Sequence, residues 1–327
     1  MDSEQVLYKC TKAILMVKSF CLQRDVFIGI CRRGKLFVFS ESILRIKRIL
    51  LIFGLFSITF YASLAQKAGE KLVKSTSFKQ AKVEFGVGGT VTIIGAPVGS
   101  IQIKGWGENQ IEIEAKIEIQ AENENDIAQI ASVSGFLIDR DMTHVRVISV
   151  GTYDKDYIKR VAKKFPKRLV GLPLRIDYVI KVPAYCDLEV NGGKGEFAIE
   201  GVEGSVLIRF LESKARLNVS GGAIDATFGS GEVEVNVLSP SWRGRWLNVG
   251  LANGNMRVTL PQNMNAEISM SVLQNGRIEN LTSSLRPRRS SDHIGEKSIN
   301  TKLGNGGASM SFRVGNGNIK IAETIER

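Results

Sequence analysis

The sequence predicts an all-β fold: a β-rich N-terminal domain, then a single-chain β-solenoid or β-helix-like stack of short glycine-turned strands, with an N-terminal hydrophobic signal or anchor helix. Three observations predict it. First, apolar residues recur two apart in successive sets between Leu188 and Asn280, from Leu188/Val190, Phe197/Ile199 and Val206/Ile208/Phe210 through Val233/Val235/Val237 to Met256/Val258/Leu260 and Ala266/Ile268/Met270. Residues two apart on a strand point to one face, so each set is the buried edge of one strand. Second, glycines such as Gly192-Gly193, Gly204, Gly221-Gly222, Gly231, Gly254 and Gly276 fall between the sets, where the chain must turn. Third, the sets recur about every 9–10 residues, the spacing of a sandwich, barrel or solenoid. Composition agrees, with 33 Gly against 7 Pro and 43% hydrophobic residues in a chain of 327.

The longest apolar run is Ile49–Ala65, preceded by Arg45, Lys47 and Arg48 and ending in Ser63-Leu64-Ala65. A basic flank, an apolar stretch and a small-x-small end make a secretory signal, with cleavage before Gln66. The run of about 17 residues is also close to the length of a retained membrane anchor. Segment 44–65 is therefore read as a signal peptide or signal anchor. It predicts export by a cleaved signal or a retained anchor around 46–65, to the periplasm, the cell surface or the outer face of the cytoplasmic membrane. Residues 1–43 read as an N-terminal extension from translated upstream sequence, with the biological start near Leu44 or Ile43. Cysteine usage agrees with export, since Cys10, Cys21 and Cys31 precede the cut and Cys186 alone follows it. Residues 1–65 hold ten of the 44 Lys/Arg and four of the 33 Asp/Glu, net +6, which leaves +5 on the remainder. That balance is too mild to argue for nucleic acid.

Residues 66–80 are polar and read as a linker. A β-rich domain is expected over 81–182, and the repeat domain over 183–327. Within the first, Ile111/Ile113/Ala115/Ile117/Ile119 alternates with Glu112, Glu114, Lys116 and Glu118, the pattern of a half-buried strand. Glu122–Ser132 changes to helical spacing, with Asn123 or Asn125 as N-cap. Asp154–Phe165 is a second helix, with Tyr157, Ile158, Val161 and Phe165 on one face and Pro166 after its end. Leu174–Pro183 returns to strand. Ser283–Asn300 loses the pattern and reads as a mobile insertion carrying Arg286, Arg288 and Arg289; strands resume at Met310 and Ile319.

The order of these pieces resembles a known family. Gly105-Trp106-Gly107 followed by IEIEAKIEI, then RIDYVIKVP at 175–183, LEVNGGKGEFAIEGVEGSV at 188–206, and the units Asn253-Gly254-Asn255-Met256 and Asn316-Gly317-Asn318-Ile319 are similar to the bacterial putative-adhesin family of β-strand-repeat proteins. The resemblance covers roughly 80–327. It implies an exported, extended right-handed β-solenoid-like fold tied to the cell envelope, and it brings no catalytic residues. The basic segment at 154–165 and the Arg-rich insertion at 283–300 depart from it.

Residue by residue, little chemistry is expected. The glycine strings at 86–89 and 192–195 are followed by strands, whereas a phosphate cradle requires a helix there. The close acid pairs Glu112/Glu114, Glu200/Glu203 and Glu232/Glu234 lie on polar strand faces. A glycosidase would need two acids facing across a scissile bond. His144 and His293 lack a nucleophile motif beside them, and no Cys/His cluster suits zinc. No cofactor and no enzymatic activity are expected. Two clusters are candidate contact sites. Trp242, Arg243, Arg245 and Trp246 stand in a loop at 240–247 and, with Arg286, Arg288 and Arg289, suit ligand contact, while the first four equally suit packing of that loop onto the solenoid flank. Lys155, Lys159, Arg160, Lys163 and Lys164 form a basic helix that either faces an anionic membrane or covers the end of the β core. The expected role is adhesion, binding or structural support at the cell envelope, through cell-wall glycan, anionic lipid or envelope proteins. A carbohydrate-active enzyme and a membrane-anchored envelope-stress component are the alternatives.

Overall fold

The computed structural model describes residues 72–86, 88–285 and 292–324. The extension, the signal or anchor segment and Arg286, Arg288 and Arg289 lie outside the described residues. Everything described belongs to one compact unit, Glu70–Arg327.

All the described strands join one mixed sheet. Its centre is a parallel ladder of long bent strands: β8 (Asp187–Glu200), β9 (Ser205–Val219), β10 (Gly221–Val237) and β11 (Arg243–Pro261). Each bends at a glycine or small residue near its middle, so each contributes a segment to two walls. Along the first wall Leu188, Val206, Ile224 and Leu247 stand in register; along the second, Phe197, Ala215, Val233 and Met256 do. The step between rungs is 18 residues from β9 to β10 and lengthens to 23 from β10 to β11.

Two further rungs are filled out of chain order. Strands β16 (Ala308–Asn316) and β17 (Ile319–Thr324) pair in parallel with the two halves of β11. On their other side they pair, again in parallel, with β12 (Ala266–Val272) and β13 (Ile278–Asn280). The chain leaves β11, skips a rung, and returns through β14 (His293–Ile294) and β15 (Ser298–Leu303) to fill the gap. The other end does the same. Strands β2 (Thr90–Ile94) and β3 (Ile101–Trp106) lie between β8 on one side and β6 (His144–Val150) and β7 (Leu174–Pro183) on the other. The sheet thus continues across 182/183.

Both ends stop the parallel template with antiparallel strands. β4 (Gln110–Ala121) lies against β7, β1 (Val73–Glu84) against β4, and β5 (Gly135–Arg140) against β6. At the far end β15 lies against β12. Edge strand β1 carries Lys74, Lys79 and Lys82, and charge on an edge discourages a further strand from adding. Helix α1 (Glu124–Val133) packs on β4 through Ile127, Ile130 and Val133; Asn123 caps it, accepting from the Asp126 N–H. Helix α2 (Lys155–Val161) is capped by Asp154 and buries Ile158.

Alternation explains the core. Residues such as Val190, Ile208, Phe228, Val235, Leu247 and Val258 are wholly or almost wholly buried. Each contributes roughly 1.5–3 kcal/mol on leaving water. Phe197, Phe210 and Phe228 form a short aromatic column, with centroids 4.8 Å and 6.2 Å apart. Gly192 makes room for it: a Cβ there would stand 2.1 Å from the Phe210 ring. At the bend, Gly254 has φ +136°, and its Cβ would fall 1.8 Å from the Gly231 carbonyl oxygen in the neighbouring rung.

Three elements differ from the sequence reading. The expected linker 66–80 gives way to strand from Val73, because β4 offers a full-length antiparallel partner from Ala121 back to Gln110. The expected insertion 283–300 contains β14 and part of β15. The helix expected over 154–165 stops at Val161, leaving Lys163 and Lys164 beyond it.

The bend makes a direct prediction. Gly254→Ala places a methyl group against backbone that cannot move without shifting a rung, and should cost roughly 2–4 kcal/mol. Gly107→Ala meets nothing within 4 Å and should cost under about 1 kcal/mol. Urea unfolding of both variants measures the difference, and equal midpoints would contradict the account of the bend.

Candidate functional site

A shallow trough of about 830 Å³ lies on the outer face of the second wall. It runs across the strands from Gln102 on β3 to Glu279 on β13. Strand alternation builds it. Buried residues such as Val233 and Met256 turn inward, and their neighbours Glu232, Glu234, Asn255 and Arg257 turn outward. Because the rungs are in register, the outward residues align in two columns. One is Glu196, Lys214, Glu232, Asn255; the other is Ala198, Arg216, Glu234, Arg257, Lys320, Glu279.

Charge alternates along much of these columns, and several neighbours pair. Arg216 Nε donates to Glu234 Oε2 at 3.0 Å, and Asn236 Nδ2 also reaches Glu234. The Arg216 guanidinium holds the Glu234 carboxyl below its ordinary range. Arg277 reaches Glu279 at 3.2 Å, and Lys320 stands 3.9 Å from it. Beside the trough runs an asparagine ladder: Asn316 Nδ2 donates to Asn253 Oδ1 at 3.0 Å, and Asn275 Nδ2 to Asn316 Oδ1 at 3.2 Å.

The sequence-predicted tryptophan–arginine cluster lies elsewhere, at the start of β11. Arg243, Arg245 and Trp246 belong to the strand instead of a loop, since pairing with β10 begins at Gly221↔Arg243 and shifts register at Gly222/Ala223. Trp242 turns toward the core, whereas the half-buried Trp246 lies on the outward side of its strand, opposite to Leu247. Trp246 Nε1 donates to Asp225 Oδ2 at 2.8 Å, and Asn248 shares the other oxygen of that carboxylate. Trp242 packs against the core, and its Nε1 is buried without a hydrogen-bond partner. Arg243 and Arg245 are exposed.

In the basic segment, Lys155, Lys159, Arg160, Lys163 and Lys164 are exposed, while Ile158 and the partly buried Tyr153 and Phe165 pack inward. Just beyond it, Arg168 forms a two-pronged contact with Asp126, at 2.5 Å to each oxygen. Asp126 is fully buried, and Arg168 holds its carboxyl below the usual range. This pair ties the α1 N-terminus to the turn at Lys167–Leu169. The sequence offered no signal for it beyond one charge of each sign 42 residues apart.

One acid of each close pair ties neighbouring strands, and Glu118 is held both by Lys74 of the neighbouring strand and by Lys116 of its own. Glu112 takes Lys181 and Lys82, each at 2.7 Å, and Glu118 takes Lys116 at 2.7 Å and Lys74 at 2.9 Å. These hydrogen bonds lower both carboxyls to about 2. Glu200 meets Lys104 at 3.3 Å, and Glu203 accepts from Ser220 Oγ at 3.1 Å. His144 Nε2 is 2.7 Å from Thr92 Oγ1, and Asp141 accepts from the backbone N–H groups of Thr143 and His144, closing a turn. The Cys186 thiol is buried, which pushes it up to about 12 and leaves it unreactive as a thiolate. Among the described residues no group of three or more His, Cys, Asp or Glu is placed to hold a metal ion.

No family model matches this chain, and no curated protein matches it. Among solved structures it is similar to a putative cell adhesion protein from Clostridium sporogenes, with 13% identity and a TM-score of 0.43 over 76% of this chain and 100% of that one. It is also similar to a putative adhesin from Bacteroides fragilis, with 10% identity and a TM-score of 0.34 over 76% and 98% of the two chains. A putative lipid binding protein from Parabacteroides distasonis gives 10% identity and a TM-score of 0.28 over 75% and 97%.

The ties of Glu112 and Glu118 predict a pH dependence. Both carboxyls sit below their ordinary value in the folded chain, so their stabilisation is present above about 4.5 and is lost as pH falls through about 2. Thermal melts of the wild type and of Glu112→Gln/Glu118→Gln between pH 7 and pH 2 read this. The wild-type advantage should shrink below pH 4.5. An advantage constant down to pH 2 would contradict the assignment.

Proposed function

We propose that this chain is an exported protein of the cell envelope that acts without catalysis, holding a rigid β-solenoid surface out for adhesion, binding or structural support. The observation that carries the reading is the in-register ladder. An apolar interior runs from rung to rung, and the outward residues are brought into straight polar columns. Such a stack is stiff along its axis, since each rung is hydrogen-bonded to the next, and it presents a repeating surface. In this reading β2–β3, β8 through β11, β16–β17 and β12–β13 are the coils of one solenoid, with β1, β4 and β5 covering one end.

Export rests on the basic flank, apolar run and small-residue end at 45–65, together with a single cysteine after the proposed cut. Binding is favoured over glycoside hydrolysis because each close carboxylate pair contains an acid already held by a lysine or arginine. A hydrolase needs one acid kept protonated and a second facing it. The partner is an envelope polymer or protein that can lie along the stack; a flat, polar, repeating face suits contact over length more than enclosure of a small molecule.

Fractionation tests this. Cells expressing the full chain should carry it in the envelope or outside the cytoplasmic membrane, accessible to added protease. N-terminal sequencing should find Gln66 first, or a retained anchor. Purified protein should co-sediment with isolated cell-wall sacculi. A protein confined to the cytosol that ignores sacculi would contradict the reading.

A further inference from the structure

The trough is unevenly satisfied. At its β3 and β8 end charges are few, and in the middle Arg216 and Glu234 engage each other. Toward β11 and β17 the pattern breaks. Arg257 is flanked in register by Glu234 on one rung and Lys320 on the next. Glu234 already accepts from Arg216 and Asn236, so Arg257 acts on it through charge alone and makes no hydrogen bond of its own to it. Lys320 has only the 3.9 Å approach to Glu279, which Arg277 holds more closely. Two cations therefore sit on adjacent rungs, about 4.8 Å apart in strand spacing, with their nearest carboxylates shared with Arg216 and Arg277.

The neighbouring column adds donors. Asn255 Oδ1 accepts from the Asn318 N–H at 3.1 Å, so the Asn255 oxygen is engaged while its NH2 group has no hydrogen-bond partner among the described residues. Arg257, Asn255 and Lys320 together offer a forked guanidinium, an amide NH2 and an ammonium. These donors face solvent and are free to meet an acceptor, and a planar guanidinium matches a carboxylate two oxygens at a time. Four carboxylates also line the trough: Glu234 and Glu279 are held by Arg216 and Arg277, while Glu196 and Glu232, without an ion pair among the described residues, oppose an anion, Glu232 most closely because it stands beside Asn255 in register.

The shape narrows the ligand further. The trough crosses seven rungs, roughly 30 Å at the spacing of neighbouring strands. Its apolar lining residues, Ile101, Phe197, Ala215, Val233 and Met256, are buried, so no large apolar side chain is exposed to enter a lipid layer. Length, concavity and donors suit a linear polymer that carries carboxylates.

We propose that the trough on the second wall binds an acidic polysaccharide, with a sugar carboxylate seated on Arg257 and supported by Asn255 and Lys320. The proposal rests on the reading of the chain as an envelope binder and names the face and the ligand class for it. It moves the contact site away from the Trp242–Trp246 cluster, where Trp242 packs against the core and Trp246 is held by Asp225.

The test uses the purified full chain and three probes: polygalacturonate as the carboxylated polymer, dextran as the neutral one, and phosphatidylglycerol vesicles as the anionic lipid. Polygalacturonate should be bound in a salt-sensitive manner and dextran should not. Arg257→Ala should weaken that binding at least tenfold, Lys320→Ala by less, and Arg257→Lys should restore only part of it. Glu232→Gln should strengthen it by removing the repulsion. All three positions point outward, so melting temperatures of the four variants should stay near that of the wild type, which separates loss of the site from loss of the fold. Three results would overturn the proposal: no binding of polygalacturonate, equal binding of dextran, or unchanged affinity in Arg257→Ala. Binding of the vesicles alone would overturn it in favour of a membrane surface. If Arg257→Ala still co-sediments with sacculi as the wild type does, the trough is the wrong face and the envelope reading stands. If the wild type neither leaves the cytosol nor meets sacculi, the reading beneath it falls.

Discussion

The fold depends on one contact repeated from rung to rung: the backbone of each bend lies directly on the backbone of the next. At Gly254 the nearest carbonyl oxygen belongs to Gly231, and at Gly317 it belongs to Gly254, each 1.8 Å from where a Cβ would be. No side chain fits between them. That closeness keeps the rungs in register, since a slip by one residue would drive a Cβ into the neighbouring carbonyl and turn every core residue outward. Register in turn lets Phe197, Phe210 and Phe228 meet, and it aligns the outward residues into columns.

A ladder of this kind has open ends, and both are closed from within the chain. Near each end one rung is contributed by a segment distant in sequence, β2–β3 at one and β16–β17 at the other. The outermost pairing is antiparallel in both cases, and the exposed edge β1 is rich in lysine. The Asp126–Arg168 pair adds a tie at the α1 N-terminus, with Asp126 buried and Arg168 partly exposed. Breaking one partner of such a pair would leave a charge uncompensated, which makes it a fixed point of that end.

Much of the strand pattern was legible because burial on a strand has period two. Leu188, Val206 and Ile224 announce their face by their neighbours Glu189, Leu207 and Asp225, of which two are polar. Rung order was not legible. The sets in β12, β16 and β11 share one alternation, so nothing in them says that β16 sits between the other two. Strand β1 read as linker because its sequence, VKSTSFKQAKVE, is polar on both faces; it lies at an edge where little core is left to cover. Trp242 and Trp246 suited ligand contact and loop packing equally by residue type; Trp242 packs against the core, and Trp246 is held on the outward side by Asp225 of the adjacent rung. The trough escaped sequence reading for a different reason. Glu232, Arg257 and Lys320 each look like ordinary solvated strand residues, and only stacking brings 232–234, 255–257 and 318–320 onto one surface.

Register is the claim on which the core, the bend and the trough all stand, and engineered disulfides read it directly. Arg216 and Glu234 face each other on adjacent rungs, within the span a disulfide accepts. The pair Arg216→Cys/Glu234→Cys should therefore oxidise readily in the folded chain. Arg216→Cys/Asn236→Cys, offset by two residues and about 8 Å apart by strand geometry, should stay reduced. Ready cross-linking of the offset pair, with none in the facing pair, would contradict the ladder.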